Sequence, residues 1–372
     1  MQGIHKEYQF SNKVICTDVV AILIKCNEEV ARVSVNESKE ILAGFNKAGL
    51  RICQPMKIAE QTWPEGTVPI VSICCTTYNH EKFIRKCLDG FLMQETTFPV
   101  EVLINDDAST DRTADIIREY ENNYPHIIRP IYQVENQYSK GKKPNPSFNY
   151  PRSNGKYIAL CEGDDYWIHP QKLLKQIYFL EANDDYSICF HNAKILNNGN
   201  LVDNYLKKIG PDTTNITDLA KDNYIYTASS LVRNYYSKGL PGYFESCQVG
   251  DYPFLLFAAQ TGKIKFIDEC MSVYRIHEGG VWSTKTTIEK LESSAAIFKH
   301  LMNNFNSEVN SILKDRHIEL LNKVIEEYKK LATKKQAAGN DLYTPYSIYN
   351  NAAFSTILKA LAIKIKAYLF GA

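Results

Sequence analysis

Short apolar runs alternate with amphipathic stretches through the middle of the chain, and each run stops at small polar or acidic residues. Val71-Ser72-Ile73-Cys74-Cys75 leads into Thr76-Thr77-Tyr78-Asn79, and a helical spacing follows with Phe83, Ile84, Cys87, Leu88, Phe91 and Leu92 on one face. Val100-Glu101-Val102-Leu103-Ile104 leads into Asn105-Asp106-Asp107-Ala108-Ser109-Thr110-Asp111. There Ser109, Thr110 and Asp111 are N-cap candidates for a helix through Ile116, Ile117 and Tyr120. Tyr157-Ile158-Ala159-Leu160 leads into Cys161-Glu162-Gly163-Asp164-Asp165-Tyr166-Trp167, with another helix starting near Pro170. The repeat of strand, polar edge and helix predicts an α/β fold with a parallel sheet, because parallel strands need long crossovers. The polar strand ends then line one crevice at its carboxyl edge, where open α/β sheets bind ligands.

The two ends of the chain break this rhythm. Residues 1–66 predict strands over 14–24, 30–35 and 50–58 and a helix over 37–48, a small α/β extension that either stands alone or adds strands to a sheet edge or a partner chain. Residues 286–332 predict one or two helices rich in Lys and Glu. A last helix places Phe354, Ile357, Leu358, Leu361, Ile365, Tyr368 and Leu369 on one stripe flanked by Lys359, Lys364 and Lys366. That stripe suits either the surface of a membrane with anionic lipid or packing against the rest of the protein. The organisation expected is a 1–66 extension, a 67–285 central domain and a 286–372 helical region.

Adjacent carboxylates at a strand end, Asp164 and Asp165, offer hard oxygen ligands of the kind that hold Mg²⁺ or Mn²⁺ shared with a diphosphate. Taken alone, the pair reads more readily as an acidic turn capping the helix near Pro170, and the motifs around it overturn that reading.

Five motifs in order resemble the inverting glycosyltransferases of family 2, which have the GT-A fold, a Rossmann-like mixed sheet flanked by helices. They are Thr76-Thr77-Tyr78-Asn79, the segment from Asn105 to Asp111, Glu162-Gly163-Asp164-Asp165-Tyr166-Trp167, Gly250-Asp251-Tyr252-Pro253, and Tyr274-Arg275-Ile276-His277-Glu278-Gly279-Gly280-Val281-Trp282-Ser283. Their order and spacing carry the resemblance, since each is short. The resemblance implies that Thr76 and Asp107 contact the base of a nucleotide-sugar, with Tyr78 against it and Asp164 towards the donor ribose and sugar. It implies a divalent ion on Asp165, acting as a Lewis acid on the departing diphosphate, and Asp251 as the base that takes the acceptor proton. Asp251 also opens an apolar helix, so a capping role stays open. Gly250 stands where family members often carry Glu. His277 is a third metal ligand or a donor to the diphosphate, and Gly279 and Gly280 allow its loop to close, with Trp282 as the lid's apolar anchor or as a buried aromatic that pins the loop. Trp167 and Tyr166 shape the acceptor pocket or form core behind the metal. Lys140, Lys142 and Lys143 reach an anionic ligand or are solvated surface.

Composition narrows this picture. A chain of 372 residues with 44% hydrophobic content holds a large core, and a net charge of +1 excludes a dedicated nucleic-acid binder. The ten cysteines have no regular spacing and no Cys-x-x-Cys pair, and no signal peptide is evident, which predicts reduced thiols and a cytoplasmic location. No apolar stretch reaches the length of a membrane span, leaving peripheral contact through the last helix as the membrane option. The expectation is a metal-dependent inverting hexosyl- or N-acetylhexosaminyl-transferase, monomeric or a homo-oligomer. It would move sugar from a nucleotide-sugar, foremost a UDP-sugar, to a glycan or lipid-linked acceptor of a bacterial surface polysaccharide. Two alternatives are a sugar-nucleotide-forming nucleotidyltransferase, which needs a glycine-rich phosphate loop that Thr76-Thr77-Tyr78-Asn79 is not, and a catalytically silent partner of a synthase complex, against which Asp165 and Asp251 argue.

Overall fold

The computed structural model describes residues 14–15, 51–52, 54–203, 212–236, 239–247 and 249–337. They divide between two compact units, one built from residues 1–215, 224–240 and 257–275, the other from 216–223, 241–256 and 276–372. Most of the expected extension lies outside the described residues, and so does the stripe from Phe354 to Leu369. Among the described residues no helix is long and apolar enough to cross a membrane.

The main sheet of the first unit contains β1 (Val71–Thr77), β2 (Val100–Asp106), β3 (Ile128–Tyr132), β4 (Tyr157–Leu160), β5 (Tyr166–Trp167), β6 (Tyr186–Asn197), β7 (Asn200–Asp203), β8 (Thr213–Thr214), β9 (Leu231–Arg233) and β10 (Lys263–Ile276). Their spatial order is β8-β10-β6-β9-β4-β1-β2-β3, with β7 on β6 and β5 on β10. The run β4-β1-β2-β3 is parallel, as the repeat predicts. β9 then joins β4 antiparallel and β6 joins β9 antiparallel, so the sheet is mixed. Val71, Ile73, Cys74, Cys75, Ile158, Ala159 and Leu160 are fully buried, because a parallel strand covered on both faces has no polar side to alternate with.

Helix α1 (Ile84–Leu92) buries Ile84, Cys87, Leu88, Phe91 and Leu92, the face expected from its spacing. Its Gly90 is a packing requirement, since a Cβ there would stand 2.9 Å from Trp167 O and 3.0 Å from Trp167 N. Helix α2 (Thr113–Asn123) crosses from β2 to β3, and α3 (Lys172–Ala182) follows β5. Ile58, near the end of the expected extension, is 1% exposed in the same core, and Met56 and Lys57 pair with Thr96 and Glu95.

In the second unit, α4 (Ile216–Lys221) is followed by α5 (Tyr243–Ser246) and α6 (Asp251–Ala259), and the first turn of α6 meets α4: Tyr252 Oη donates to Leu219 O at 2.9 Å. The Lys- and Glu-rich stretch forms two helices, α7 (Thr287–Leu301) and α8 (Ser307–Ala337). A reciprocal capping box between Thr286 and Glu289 starts α7, and His317 Nδ1 of α8 lies 2.8 Å from Ala295 O.

Candidate active site

The loops after β1 and β2 are stitched into one surface. Asp107 N donates to Thr77 O at 2.9 Å. Asn79, at φ +55°, donates from its backbone to Ser109 Oγ at 2.9 Å and accepts Thr110 N on Oδ1 at 2.8 Å. His80 N donates to Thr113 Oγ1 at 2.8 Å and Glu81 N to Asp111 Oδ2 at 3.0 Å. Burial alone would raise the Asp111 carboxyl, but hydrogen bonds from Thr113 and Glu81 outweigh it and hold it below the usual range. Asp106 is pushed up by burial, against the opposing bond from Ser109.

Asp107 is 3% exposed and accepts Gln137 N on Oδ1 at 2.8 Å and Tyr138 N on Oδ2 at 3.0 Å. It ties down the loop that carries Lys140, Lys142 and Lys143, in which Lys140 pairs with Glu135. Thr76 is half-buried at the end of β1, and the Tyr78 ring beyond it is 43% exposed, open to a ligand's flat face.

The turn after β4 holds the two carboxylates in opposite environments. Gly163 N donates to Thr76 O at 2.9 Å and Asp165 N to Glu162 O at 3.1 Å, which sets the turn against β1. Asp165 points inward: it is 2% exposed and its Oδ1 accepts Arg275 N at 2.8 Å. Burial pushes its carboxyl well above the usual carboxylate range, Asp164 and Glu162 add to this, and Arg275 opposes it. Asp164 is half-buried, with Oδ2 3.8 Å from His80 Nε2, while His80 Nδ1 faces Thr77 Oγ1 at 3.1 Å. The structure thus brings His80, to which the sequence reading gave no role, beside Asp164 rather than Asp165. Its only signal was its place directly after Asn79.

Arg275 was likewise without a role. Its guanidinium bonds to Asp164 O and lies 4.7 Å from the ring centroids of both Phe83 and Tyr166, so this cation clasps the turn to α1 and β5. Trp167 takes the second of the roles left open for it. It is 1% exposed, packs edge-on against Phe91, and donates from Nε1 to Ala228 O at 2.8 Å, so it is core behind the turn.

In the second unit, Asp251 is the first residue of α6, half-buried in the turn where a helix favours a carboxylate. His277 follows β10 directly; its Nδ1 accepts Gly279 N at 3.2 Å and its carbonyl accepts Ser283 Oγ at 2.8 Å, so the loop folds back on itself. Trp282 is 38% exposed, which removes the buried-pin alternative. A cavity of about 1160 Å³ lies at the other edge of the sheet, beside Ile70, Pro99 and Lys156, which precede β1, β2 and β4. It contains none of these carboxylates.

A mixed sheet with polar loops and a carboxylate turn at its carboxyl edge is the arrangement of the GT-A fold class. Residues 72–239 match the family described as glycosyl transferase family 2. An uncharacterised protein of Mycobacterium tuberculosis is 36% identical over 221 residues, 58% of this chain and 62% of that protein, so the chain spans under two thirds of that relative. The UDP-Glc:alpha-D-GlcNAc-diphosphoundecaprenol beta-1,3-glucosyltransferase of Escherichia coli is 34% identical over 113 residues, 30% of this chain and 42% of the enzyme. The mannosyltransferase of Pyrobaculum calidifontis, solved with GDP-Man and Mn²⁺, shares the fold at a TM-score of 0.51 and 14% identity, covering 94% of this chain and 98% of that one.

Proposed function

We propose that the protein transfers a hexosyl or N-acetylhexosaminyl group, with inversion, from a nucleotide-sugar to a hydroxyl of a glycan or lipid-linked saccharide, and that the donor is a UDP-sugar. The observation that carries this reading is the Asp164 carboxylate 3.8 Å from the His80 imidazole at the carboxyl edge of the sheet, flanked by the loops of β1 and β2. The carboxylate oxygen is the hard donor that Mn²⁺ or Mg²⁺ takes, and an imidazole beside it favours Mn²⁺ of the two. Asp164 and His80 would hold the ion, and His277, the residue after β10, is the candidate for a third ligand. This exchanges the roles expected for the two carboxylates. Asp165, with one oxygen committed to Arg275 N, supports the turn, and Asp164 is the one that meets the ligand. When bound, the ion supplies Lewis-acid stabilisation of charge on the diphosphate.

The chain's own groups do the rest. Thr76 and Tyr78 receive the base, while Asp107, expected to contact it, has both oxygens on the backbone of the loop after β3 and acts by holding that loop in place; the name of the Escherichia coli relative supports UDP as the nucleotide and a lipid-linked saccharide as the acceptor class. Asp251 takes the proton from the acceptor hydroxyl as it attacks the anomeric carbon. A lipid-linked acceptor would place the protein against the cytoplasmic face of the membrane.

Turnover of a panel of UDP- and GDP-sugars, with Mn²⁺ and with EDTA, tests the reading; binding of none of them removes it. Asp251→Asn should lower transfer by about 10² to 10⁴-fold with donor affinity unchanged, because the lost interaction forms only in the transition state. Loss of donor affinity in step with rate would assign Asp251 to the donor site instead.

A further inference from the structure

Two tyrosines stand at the carboxylate edge of the first unit, on the side of β4 away from the nucleotide-type loops. β9 runs antiparallel to β4 with Leu231 opposite Ala159, and Leu160 N donates to Ser230 O at 3.4 Å, so the segment leading into β9 lies beside the end of β4. That segment is fixed in place. Trp167 Nε1 holds Ala228 O at 2.8 Å, and Ser229 donates to Tyr226 O from both N and Oγ at 2.9 and 2.7 Å. On the other flank, β5 and β10 pair Ser272 with Trp167 and Val273 with Tyr166, which sets Tyr274 level with Asp165. The rings of Tyr226 and Tyr274 meet with centroids 5.4 Å apart and planes 37° apart, and neither is fully buried. The Tyr274 phenol is pushed up by burial and then by Asp165, Asp164 and Glu162, which agrees with its place beside the turn.

We propose that Tyr226 and Tyr274 form the platform against which the acceptor packs the C–H face of a pyranose ring, so that the acceptor is a cyclic saccharide and not an open-chain polyol. The proposal rests on the transferase reading above and deepens it. Its location decides between donor and acceptor. The base-binding loops leave β1 and β2, on one side of β4, whereas the tyrosines come from the lead into β9 and from β10, on the other. An aromatic face offers a large, rigid, mostly apolar surface for a sugar ring, with a hydroxyl at its rim for the ring's substituents.

The test uses saturation-transfer NMR on the full chain with UDP and Mn²⁺ present, with methyl β-glucoside, methyl N-acetyl-β-glucosaminide and ribitol as probes. Saturation on the pyranose C–H protons of at least one glycoside, and none on ribitol, is expected. Tyr226→Ala should weaken that glycoside on the order of tenfold, Tyr226→Leu should do the same while filling the space, and Tyr226→Phe should keep it. Calorimetric UDP affinity in each variant reports that the fold and donor side are intact. No saturation of either glycoside in protein that binds UDP overturns the proposal, as does unchanged glycoside affinity in a Tyr226→Leu protein that binds UDP. Loss of the sugar contact of a UDP-sugar, with glycoside binding retained, would assign the pair to the donor. A wild-type protein that binds no nucleotide or nucleotide-sugar refutes the transferase reading first, a result distinct from all of these.

Discussion

A methyl group at residue 163 has nowhere to go. A Cβ there would stand 2.6 Å from Thr77 Oγ1, 2.8 Å from Thr77 Cβ and 3.1 Å from His80 Nδ1, and Gly163 N is committed to Thr76 O. Either the turn lifts off β1 or His80 swings away from Asp164, and both outcomes spoil the same pair. Gly163→Ala should therefore cost about 1–3 kcal/mol of stability by overpacking, and should weaken Mn²⁺-dependent UDP binding more than UDP binding in EDTA. Thermal melts and calorimetry in the two buffers check this; a variant with wild-type metal dependence would show that the turn tolerates the methyl. Asp164 and Asp165 show where reading the sequence stops at this scale. Neighbouring positions in a turn point to opposite environments, and which one faces inward depends on Arg275 N arriving from a distant strand.

Among the elements, the strands and helices of the parallel half were legible because each apolar run is a buried strand and each spaced apolar set is the inner face of a helix. The stitching between loops was not, since the bonds from Asn79 to Ser109 and Thr110 depend on backbone angles that spacing does not specify. Both loops pass through left-handed backbone. Asn79 takes φ +55° as Asn readily does, but Ala108 sits at φ +62°, where its Cβ crowds the following carbonyl. Ala108→Gly relieves that clash and at the same time loosens the unfolded chain, so the net gain should be about 0.5–1 kcal/mol. A higher melting temperature with unchanged UDP affinity is the expected result, and a lower one would mean that the loop needs the alanine methyl for packing.

Across the whole molecule, the antiparallel pairing of β9 with both β4 and β6 was beyond the sequence, because it is set by long-range contacts, and with it came an unexpected buried amine. Lys172 is fully buried, its Nζ donating to Gln176 Oε1 at 2.8 Å and lying 4.1 Å from the Trp167 ring centroid. No carboxylate stands among the groups that set its charge; burial lowers it to about 7. An unfolded lysine keeps its proton to about pH 10.4, so between pH 7 and that value the unfolded chain binds more protons than the folded one and stability rises with pH. Below pH 7 both states are charged and the penalty is constant. The buried thiols Cys74, Cys87 and Cys161 act in the opposite direction from about pH 8 upward, where unfolded cysteines begin to ionise while the folded thiols, pushed up by burial, do not. His191, lowered by burial, acts only on the acid side. Both proteins carry the same thiols, so the difference between wild type and Lys172→Met over pH 7 to 9 isolates Lys172, with an expected relative gain of about 2 kcal/mol, given a limit of roughly 1.4 kcal/mol per pH unit for one proton. Urea unfolding at pH 7, 8 and 9 should show the wild type gaining that much on Lys172→Met, whose own stability falls towards pH 9 as its unfolded cysteines ionise. Loss of the Gln176 contact shifts the variant's curve as a whole and leaves its slope untouched, so an equal slope in both proteins would place the titrating group elsewhere.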